Sequence, residues 1–265
     1  MKLGITTKVF EKDLEDRSVT LREIVEFSRQ SGIQAVELRE GCVEDYEEER
    51  LKKLASEYKD LAFTYATNNN CLDEEDEQKV KGAVDLASTL SDIPILRLLA
   101  AGGIIKRERR RYSSIEKDEI AEKLSRYSSY ASKKGVALGL ENAREPMEDI
   151  KEIIDKVGSS SLGVTFDPGN LTSISIEQGD PFQALGILEP SEIKIVHLKQ
   201  TIKGEPQNTV CDGDIDIKRL LDELSKKGYD GIVCLEPRSG KNSESAIKRS
   251  IEYMNNLYGG FCPYF

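Results

Sequence analysis

The stretch LGVTFDPGN, residues 162–170, reads as a buried β-strand that ends in a carboxylate and is turned at once by Pro-Gly. An isolated charge at the end of a core strand is too costly to keep, so Asp167 must be paired or used. The choice depends on whether other strands of the chain end in the same way. If they do, the acids belong to one site; otherwise Asp167 is a satisfied structural acid.

Seven further strand-like runs alternate with amphipathic helical patterns along the chain. The runs are KLGIT (2–6), AVELR (35–39), LAFTYAT (61–67), ILRLLA (95–100), VALGLE (136–141), IKIVHLK (193–199) and GIVCLE (231–236). Helical spacing of apolar residues is clear in LREIVEFSRQSG (21–32) and IDIKRLLDELSKKG (215–228), each ending at a glycine. Eight strands, each followed by a helix, predict an α/β protein with a single (β/α)8 TIM-barrel domain over residues 1–265. A doubly wound open sheet fits less well, because no Gly-rich phosphate turn follows the first strand.

Composition limits the class of protein. The chain has 265 residues, of which 38% are hydrophobic and 32% charged, as expected of a globular protein with a core. Its net charge of −10 argues against a nucleic-acid partner, since phosphate binding needs a basic surface. No stretch approaches the roughly 20 apolar residues of a membrane span. The five cysteines form no C-x-x-C pair. We therefore expect a cytoplasmic protein with reduced cysteines. A homo-oligomer is left open, the tail GGFCPYF (259–265) being either an interface or a terminus packed over the barrel bottom.

Polar side chains gather at the C-terminal ends of the predicted strands, where barrel enzymes hold their catalytic groups. They are Glu37 and Arg39 on strand two, Arg97 on four, Glu141 on five, Asp167 on six, His197 with Lys199 on seven, and Glu236 on eight. Pleating places small or apolar residues two positions before each acid, where they fill the barrel while the acid lies at its mouth. Three carboxylates at such short distances repel one another unless a cation lies among them.

Glu141, Asp167 and Glu236, with His197 as the single histidine of the chain, therefore predict a divalent metal site. Three carboxylate oxygens and one imidazole suit Mn²⁺ or Mg²⁺ best, with Co²⁺ and Zn²⁺ as alternatives. Four ligands leave positions for substrate oxygens, which is the arrangement of a catalytic rather than a structural site. Taken one at a time, each acid is better explained as a helix cap or as half of an ion pair.

Five motifs resemble the xylose-isomerase-like TIM-barrel superfamily, which includes sugar isomerases and epimerases, apurinic endonucleases and inosose dehydratases. They are AVELRE (35–40), GLEN (139–142), FDPGN (166–170), IVHLKQ (195–200) and DGDIDIKRLLDELSKKGYDGIVCLEP (212–237). In that family the glutamate after strand five, the aspartate after six, the histidine after seven and the glutamate after eight bind one divalent metal. The resemblance thus implies the same four ligands: Glu141, Asp167, His197 and Glu236.

The chain departs from the family pattern at several positions. Asn170 and Ala143 stand where histidines are common, Gln200 where many members have an acid, and Cys211 in place of a frequent glycine. The one histidine cannot supply the three-zinc site of the nuclease branch. An apurinic endonuclease is therefore not expected.

The resemblance implies a metal-dependent isomerase or epimerase acting on a ketose, a hydroxy-keto acid or a phosphorylated sugar. Both reactions begin with proton removal beside a carbonyl, and the resemblance assigns Glu141 and Glu236 as the acid/base pair. Candidate substrate contacts are Lys199, Arg97, Asn170, Glu37 and Phe10. For Lys199, an ion pair with an acid such as Glu236 is an equal alternative. Glu37 and Arg39 are also explained as charges that pair with their neighbours and stiffen the barrel mouth.

Two other functions stay open. A dehydratase on the same scaffold would use the same metal, and a non-catalytic barrel would bind a ligand without turnover. The basic cluster Lys106, Arg107, Arg109, Arg110 and Arg111 follows strand four. It is explained either by recruitment of an anionic sugar or by a solvated charged face, with Gly102 and Gly103 as hinges of a lid.

Overall fold

The computed structural model describes residues 1–43, 47–72, 76–101, 110–173, 179–240 and 242–265. Its barrel strands are β1 (Lys2–Thr6), β2 (Ala35–Arg39), β3 (Ala62–Asn70), β4 (Ile95–Leu99), β5 (Ala137–Glu141), β6 (Leu162–Phe166), β7 (Ile193–Leu198) and β10 (Ile232–Leu235). These parallel strands close in the order β1-β10-β7-β6-β5-β4-β3-β2. The predicted (β/α)8 TIM barrel is confirmed.

Helices fill the connections between the strands. They are α1 (Glu11–Glu15), α2 (Leu21–Gln30), α3 (Glu40–Val43), α4 (Glu48–Glu57), α5 (Asp76–Leu90), α6 (Ser114–Lys133), α7 (Met147–Val157), α8 (Pro168–Thr172), α9 (Pro181–Gly186), α10 (Ile217–Lys226) and α11 (Ser243–Leu257). Short 3₁₀ turns lie at Thr7–Phe10 and Pro190–Glu192. Within the described ranges, no helix has the length and apolar character that crossing a bilayer requires.

The helices begin and pack as their sequences dictate. Thr20 caps α2 through a capping box with Glu23, because the Thr20 hydroxyl accepts the backbone N–H of Glu23 while the Glu23 carboxylate accepts that of Thr20. Asp216 caps α10 in the same sense, accepting from the backbone N–H of Arg219. The α10 leucines Leu220 and Leu221 are fully buried, and burial of each contributes about 1.5–3 kcal/mol.

Two hydrophobic clusters divide the core. The larger one packs the outer faces of the strands against the helices. The smaller one is made of Ala35, Ile95, Ile195, Ile232 and Cys234, from strands β2, β4, β7 and β10. Glu37, Arg97, His197 and Glu236 each follow one of these residues by two positions. Since pleating directs i and i+2 to the same face, the apolar cluster is the floor on which a polar layer rests.

The structure differs from the predicted elements in three places. β3 runs on to Asn70, three residues beyond the predicted run. A short antiparallel hairpin, β8 (Thr201–Ile202) with β9 (Glu205–Pro206), was not predicted. Glu37 and Arg97 lie inside β2 and β4 rather than at their ends. They belong to a layer deeper than the strand termini.

Candidate metal centre

Four side chains meet above the apolar floor of the barrel. Glu141 is the last residue of β5, Asp167 and Glu236 directly follow β6 and β10, and His197 lies within β7. All four are buried, and one ligand atom from each lies within 4.8 Å of the others. Atoms that share one cation through bonds of about 2.0–2.2 Å lie at most roughly 4.4 Å apart, so a movement of a few tenths of an ångström would bring this grouping to the dimensions of a single-ion site.

The hydrogen bonding of these side chains fits a cation. Glu141 Oε2, Asp167 Oδ2, His197 Nδ1 and Glu236 Oε2 are buried, and each has a charged or polar neighbour at 2.5–2.7 Å without the alignment of a hydrogen bond. Buried polar atoms normally have well-aligned partners, so one poorly aligned atom on each of four converging side chains fits a shared ligand. Three oxygens and one imidazole nitrogen form a donor set for a divalent ion.

His197 is held by carboxylates on both sides. Its Nε2 lies 2.9 Å from Oε2 of Glu37, and its Nδ1 lies 2.6 Å from Oε2 of Glu236. Burial lowers the pKa of His197, but the charges of Glu37 and Glu236 raise it further, so the pKa stands well above its usual range. Because a carboxylate can only accept, Nε2 carries a proton and Nδ1 faces the centre, where either a proton or a metal ion satisfies it.

The loop after β6, which contains the motif LGVTFDPGN, positions the carboxylate of Asp167. Asp167 is the N-cap of α8, and its Oδ1 accepts the backbone N–H of Asn170 at 3.0 Å. The side chain of Asn142 clamps the peptide groups of Asp167, accepting from its N–H and donating to its C=O, both at 2.8 Å. The cap uses one carboxylate oxygen, which leaves Oδ2 for the centre. Asp167 is therefore both a cap and a member of the cluster.

Lys199 and Asn170 border the cluster on its open side. Lys199 Nζ lies 2.5 Å from Asp167 Oδ2 and 3.4 Å from Glu236 Oε1, so the predicted ion pairing is present. Asn170 donates to Glu141 at 2.9 Å and accepts from Lys199 at 3.3 Å. The amide thus bridges an acid and a cation at the position where many family members have a histidine.

Glu37 and Arg97, predicted as substrate contacts, lie behind the candidate ligands. Arg97 is fully buried; its Nε lies 2.7 Å from Glu141 Oε2, and its Nη1 donates to the carbonyl of Thr67 at 2.7 Å. Glu37 contacts His197 as described above. Neither lines the cavity that opens beside the centre. Pleating places the side chains of Glu37 and Arg97 on the inner face of the sheet, and closure of the barrel brings them against the candidate ligands Glu141 and His197.

Phe10 lies in the hydrophobic core, and only Arg110 and Arg111 of the basic cluster lie within the described residues. Phe10 is 1% exposed, packs edge-to-face on Phe27, and belongs to the core rather than to the mouth of the barrel. Arg110 pairs with Glu116 at 3.3 Å and stacks over Tyr112. Lys106, Arg107 and Arg109, with Gly102 and Gly103, lie outside the described residues.

Charge is distributed unevenly among the acids of the centre. Burial raises the pKa of Asp167 to about 6, a rise that Lys199 opposes. Burial would also raise the pKa of Glu236, but the charges of Lys199 and His197 outweigh it and lower the value to about 2. Burial is outweighed at Glu141 too, where His197 and Lys199 hold the pKa below its usual range. The two glutamates are thus ionised at neutral pH, as metal ligands and proton acceptors must be.

Sequence reasoning missed the residues that tie the loops together. Gln200, noted as a departure from the family pattern, is buried; its Nε2 donates to the carbonyl of Ile215, and its Oε1 accepts from the N–H groups of Thr201 and Ile215. An acid could not both donate and accept here. Glu40 accepts from Thr67 and Asn68. No periodicity marks either residue, because each is defined by single contacts to other segments: Gln200 to the backbone before α10, and Glu40 to the end of β3.

Comparison with known proteins agrees with the fold and the motifs. Residues 25–257 match the family described as xylose isomerase-like TIM barrel. The chain belongs to this family. An uncharacterized protein of Methanocaldococcus jannaschii, MJ1311, is 26% identical over 145 residues, which are 50% of this chain and 48% of that protein. This chain therefore spans about half the length of the curated relative it matches.

Several solved structures share the fold along nearly the whole chain. The IolI protein with a bound zinc atom has a TM-score of 0.73 at 19% identity, and the match covers 100% of this chain and 99% of that protein's chain. L-ribulose 3-epimerase has a TM-score of 0.74 at 15% identity, covering 96% and 93%. The probable 3-DHS dehydratase AsbF from Bacillus anthracis has a TM-score of 0.73 at 17% identity, covering 97% and 99%. At these identities the likeness shows the fold alone.

Proposed function

We propose that this chain is a divalent-metal-dependent isomerase or epimerase of a small sugar or hydroxy-keto acid. The observation that carries the proposal is the convergence of Glu141, Asp167, His197 and Glu236, whose candidate ligand atoms are buried and lie within 4.8 Å of one another. Mn²⁺ or Mg²⁺ suits the three carboxylates best, with Co²⁺ and Zn²⁺ as alternatives. Support from relatives is an epimerase and a zinc-bound protein on the same fold.

Glu141 and Glu236 are the proposed proton-transfer groups. Their ligand atoms lie within 4.8 Å of each other, and they stand on opposite sides of β6 and β7 in the barrel order. A substrate that enters between them meets one carboxylate that accepts a proton beside its carbonyl and another that returns a proton. A divalent ion bound here would polarise that carbonyl and stabilise the developing negative charge.

Asp167 and His197 serve in this proposal as anchors of the ion. Asp167 is fixed by the cap of α8 and by Asn142, and His197 is fixed by Glu37, so neither can turn without breaking buried hydrogen bonds. Lys199 is the cation closest to the open side of the centre. It would hold a substrate hydroxyl or carboxylate at that edge.

The first test of the proposed function is the metal content of the purified protein. Elemental analysis of the purified protein is expected to give about one equivalent of a divalent ion after incubation with Mn²⁺, and none in Asp167→Ala. The matched control is Glu26→Gln, a carboxylate that accepts from Tyr58 on the outer layer and lies far from the centre in the fold. Failure to bind Mn²⁺, Mg²⁺, Co²⁺ or Zn²⁺ would overturn the proposal.

Turnover is then followed in D₂O by proton NMR with a panel of ketoses and keto acids. An isomerase or epimerase incorporates deuterium beside the carbonyl with no loss of hydroxyl, and Glu141→Gln and Glu236→Gln should each abolish the net reaction. The probable dehydratase AsbF has the same fold, so dehydration is the alternative reaction. A dehydratase would instead produce a conjugated product that absorbs in the ultraviolet. Metal binding without deuterium exchange on any tested compound would favour a ligand-binding barrel.

A further inference from the structure

A cavity of about 360 Å³ opens directly beside the centre, a volume in the range of small-ligand sites. Asn170, Lys199 and Glu236 line its deep end, and Lys8, Lys12 and Arg238 line its rim. We call this space the mouth cavity. A ligand whose reacting end lies at the centre must extend along the mouth cavity past these rim cations.

Two of the rim cations have free charges. Lys12 and Arg238 are exposed, and within the described residues neither side chain forms an ion pair or a hydrogen bond. Lys8, by contrast, is paired with Glu11. What distinguishes Lys12 and Arg238 is their place, since both line the cavity that also contains Lys199 and Glu236 of the centre. Their charges are therefore available to a ligand that reaches the centre through this cavity.

Backbone contacts fix these cations relative to the centre. The N–H of Lys12 donates to Ser239 Oγ at 3.2 Å, which joins the loop after β1 to the loop after β10. The N–H of Arg238 donates to the carbonyl of Gln207 at 2.7 Å. Arg238 follows Glu236 by two residues, so their Cα atoms are no more than roughly 7 Å apart. The rim is thus built onto the same strand end that carries a candidate ligand.

The centre itself favours a negative ligand once it holds an ion. Four carboxylates, Glu37, Glu141, Asp167 and Glu236, face three cationic side chains, Arg39, Arg97 and Lys199. Without an ion, protonated His197 completes the balance of charge; with a divalent ion in place of that proton and His197 neutral as a ligand, the centre is net positive. The field of the loaded centre and the field of the rim then have the same sign, and both attract an anion.

We propose that the substrate carries a terminal oxyanion, a phosphate ester or a carboxylate, which Lys12 and Arg238 bind while its hydroxy-carbonyl end meets the centre. This inference rests on the proposed function and names the substrate class. The guanidinium of Arg238 offers paired donors that match the oxygens of phosphate or carboxylate, and Lys12 adds a second point charge. A neutral sugar would leave both cations unused.

The test uses inorganic phosphate as the probe, titrated calorimetrically into the protein in EDTA so that no metal contributes to binding. Lys12→Gln/Arg238→Gln should weaken phosphate binding at least tenfold. The matched control is Lys52→Gln/Lys59→Gln, which removes two lysines from a cavity at the opposite, N-terminal end of the barrel and should leave phosphate affinity unchanged. Equal phosphate affinity in wild type and the rim variant, or no phosphate binding at all together with no acetate binding, would overturn the inference.

Acetate in the same titration separates the two anion chemistries. Rim-dependent binding of phosphate alone supports a phosphate ester, and rim-dependent binding of acetate supports a carboxylate. Mn²⁺ affinity is measured in parallel and should be the same in wild type and the rim variant, because neither cation contacts a candidate ligand. Absence of Mn²⁺ binding in wild type would therefore refute the proposed function, whereas anion binding that does not depend on the rim would refute only the substrate class.

Discussion

Glu37 accepts a hydrogen bond from Nε2 of His197 at 2.9 Å, although the strands that carry them are separated in the barrel by β1 and β10. The contact crosses the interior just above the apolar floor that Ala35 and Ile195 help to form. It fixes the tautomer and the plane of the imidazole, so that Nδ1 faces the other three candidate ligands.

Replacing Glu37 should therefore weaken metal binding without removing a ligand. We expect Glu37→Ala to lower Mn²⁺ affinity by about 10–100-fold, the usual effect of losing a carboxylate that orients a metal-binding histidine. Glu37→Gln keeps an acceptor for Nε2–H and should recover part of that loss. Calorimetric titration with Mn²⁺ measures both variants.

The control for Glu37 is Glu26→Gln, which changes a carboxylate on α2 bonded to Tyr58 and should leave the affinity unchanged. An affinity for Mn²⁺ in Glu37→Ala equal to that of wild type would show that His197 needs no support from Glu37.

The ion pair between Arg97 and Glu141 makes a separate prediction about stability. Both side chains are buried, and 2.7 Å separates Arg97 Nε from Glu141 Oε2. Arg97→Met leaves the carboxylate without its nearest cation, which costs about 3–5 kcal/mol for a buried pair. The melting temperature in EDTA should fall on the order of 10 °C, given the usual sensitivity of a chain of this size. The double variant Arg97→Met/Glu141→Gln should regain stability, and a double variant no more stable than Arg97→Met would contradict this account.

Much of the candidate site was predictable because strand pleating is regular. The four candidate ligands follow from apolar runs that end in an acid or contain the histidine, and the apolar cluster beneath them matches the i, i+2 rule. The roles of Glu37 and Arg97 were not predictable in this way. Their face of the sheet is set by the pleat, but their partners are set by the stagger of strands that close the barrel.

The residues that line the mouth cavity escaped prediction for a different reason. Lys12 lies in the short helix α1 and Arg238 in the loop after β10, neither segment has a clear periodicity, and only folding brings them to one cavity. The β8–β9 hairpin is turned by Lys203 and Gly204, both with positive φ (52° and 78°). A turn of this kind is usually marked by Asn-Gly or Asp-Gly in the sequence, so the pair Lys203-Gly204 is a weak signal for a hairpin.

Gly169 allows α8 to approach β7 more closely than any other residue would. A Cβ at position 169 would lie 2.3 Å from the Cβ and 3.4 Å from the Cα of Lys199, atoms that cannot move without the strand. We expect Gly169→Ala to displace Lys199 and cost about 1–3 kcal/mol of stability through overpacking. Chemical denaturation measures the loss.

Gly82→Ala is the matched control for Gly169. Position 82 lies inside α5 with open space around it, so alanine should stabilise the protein by about 0.5–1 kcal/mol. Gly169→Ala with a stability equal to or above that of wild type would show that α8 can shift without consequence.

Asp214 links the β8–β9 hairpin to the loop before α10 and should make stability depend on pH. Its carboxylate accepts from the N–H groups of Lys203 and Gly204 and from the hydroxyl of Thr201, at 2.9–3.0 Å. Burial is the largest single influence and raises the pKa of Asp214, but the N–H donors of Gly204 and Lys203 and the hydroxyl of Thr201 together outweigh it and lower the pKa below the usual value. A lowered pKa in the folded state stabilises the protein above the unfolded-state pKa of about 3.9, and the gain is lost as pH falls through the folded-state value. Asp214→Asn should therefore cost about 1 kcal/mol at pH 7, since the group is exposed. Urea midpoints at pH 7, 5, 4 and 3 should show the difference from wild type shrinking only below pH 4.

The control for Asp214 is Asp92→Asn, an exposed acid that forms no bond with another described residue. A difference for Asp214→Asn that stays constant down to pH 3 would mean that the ionised carboxylate contributes nothing to the hairpin.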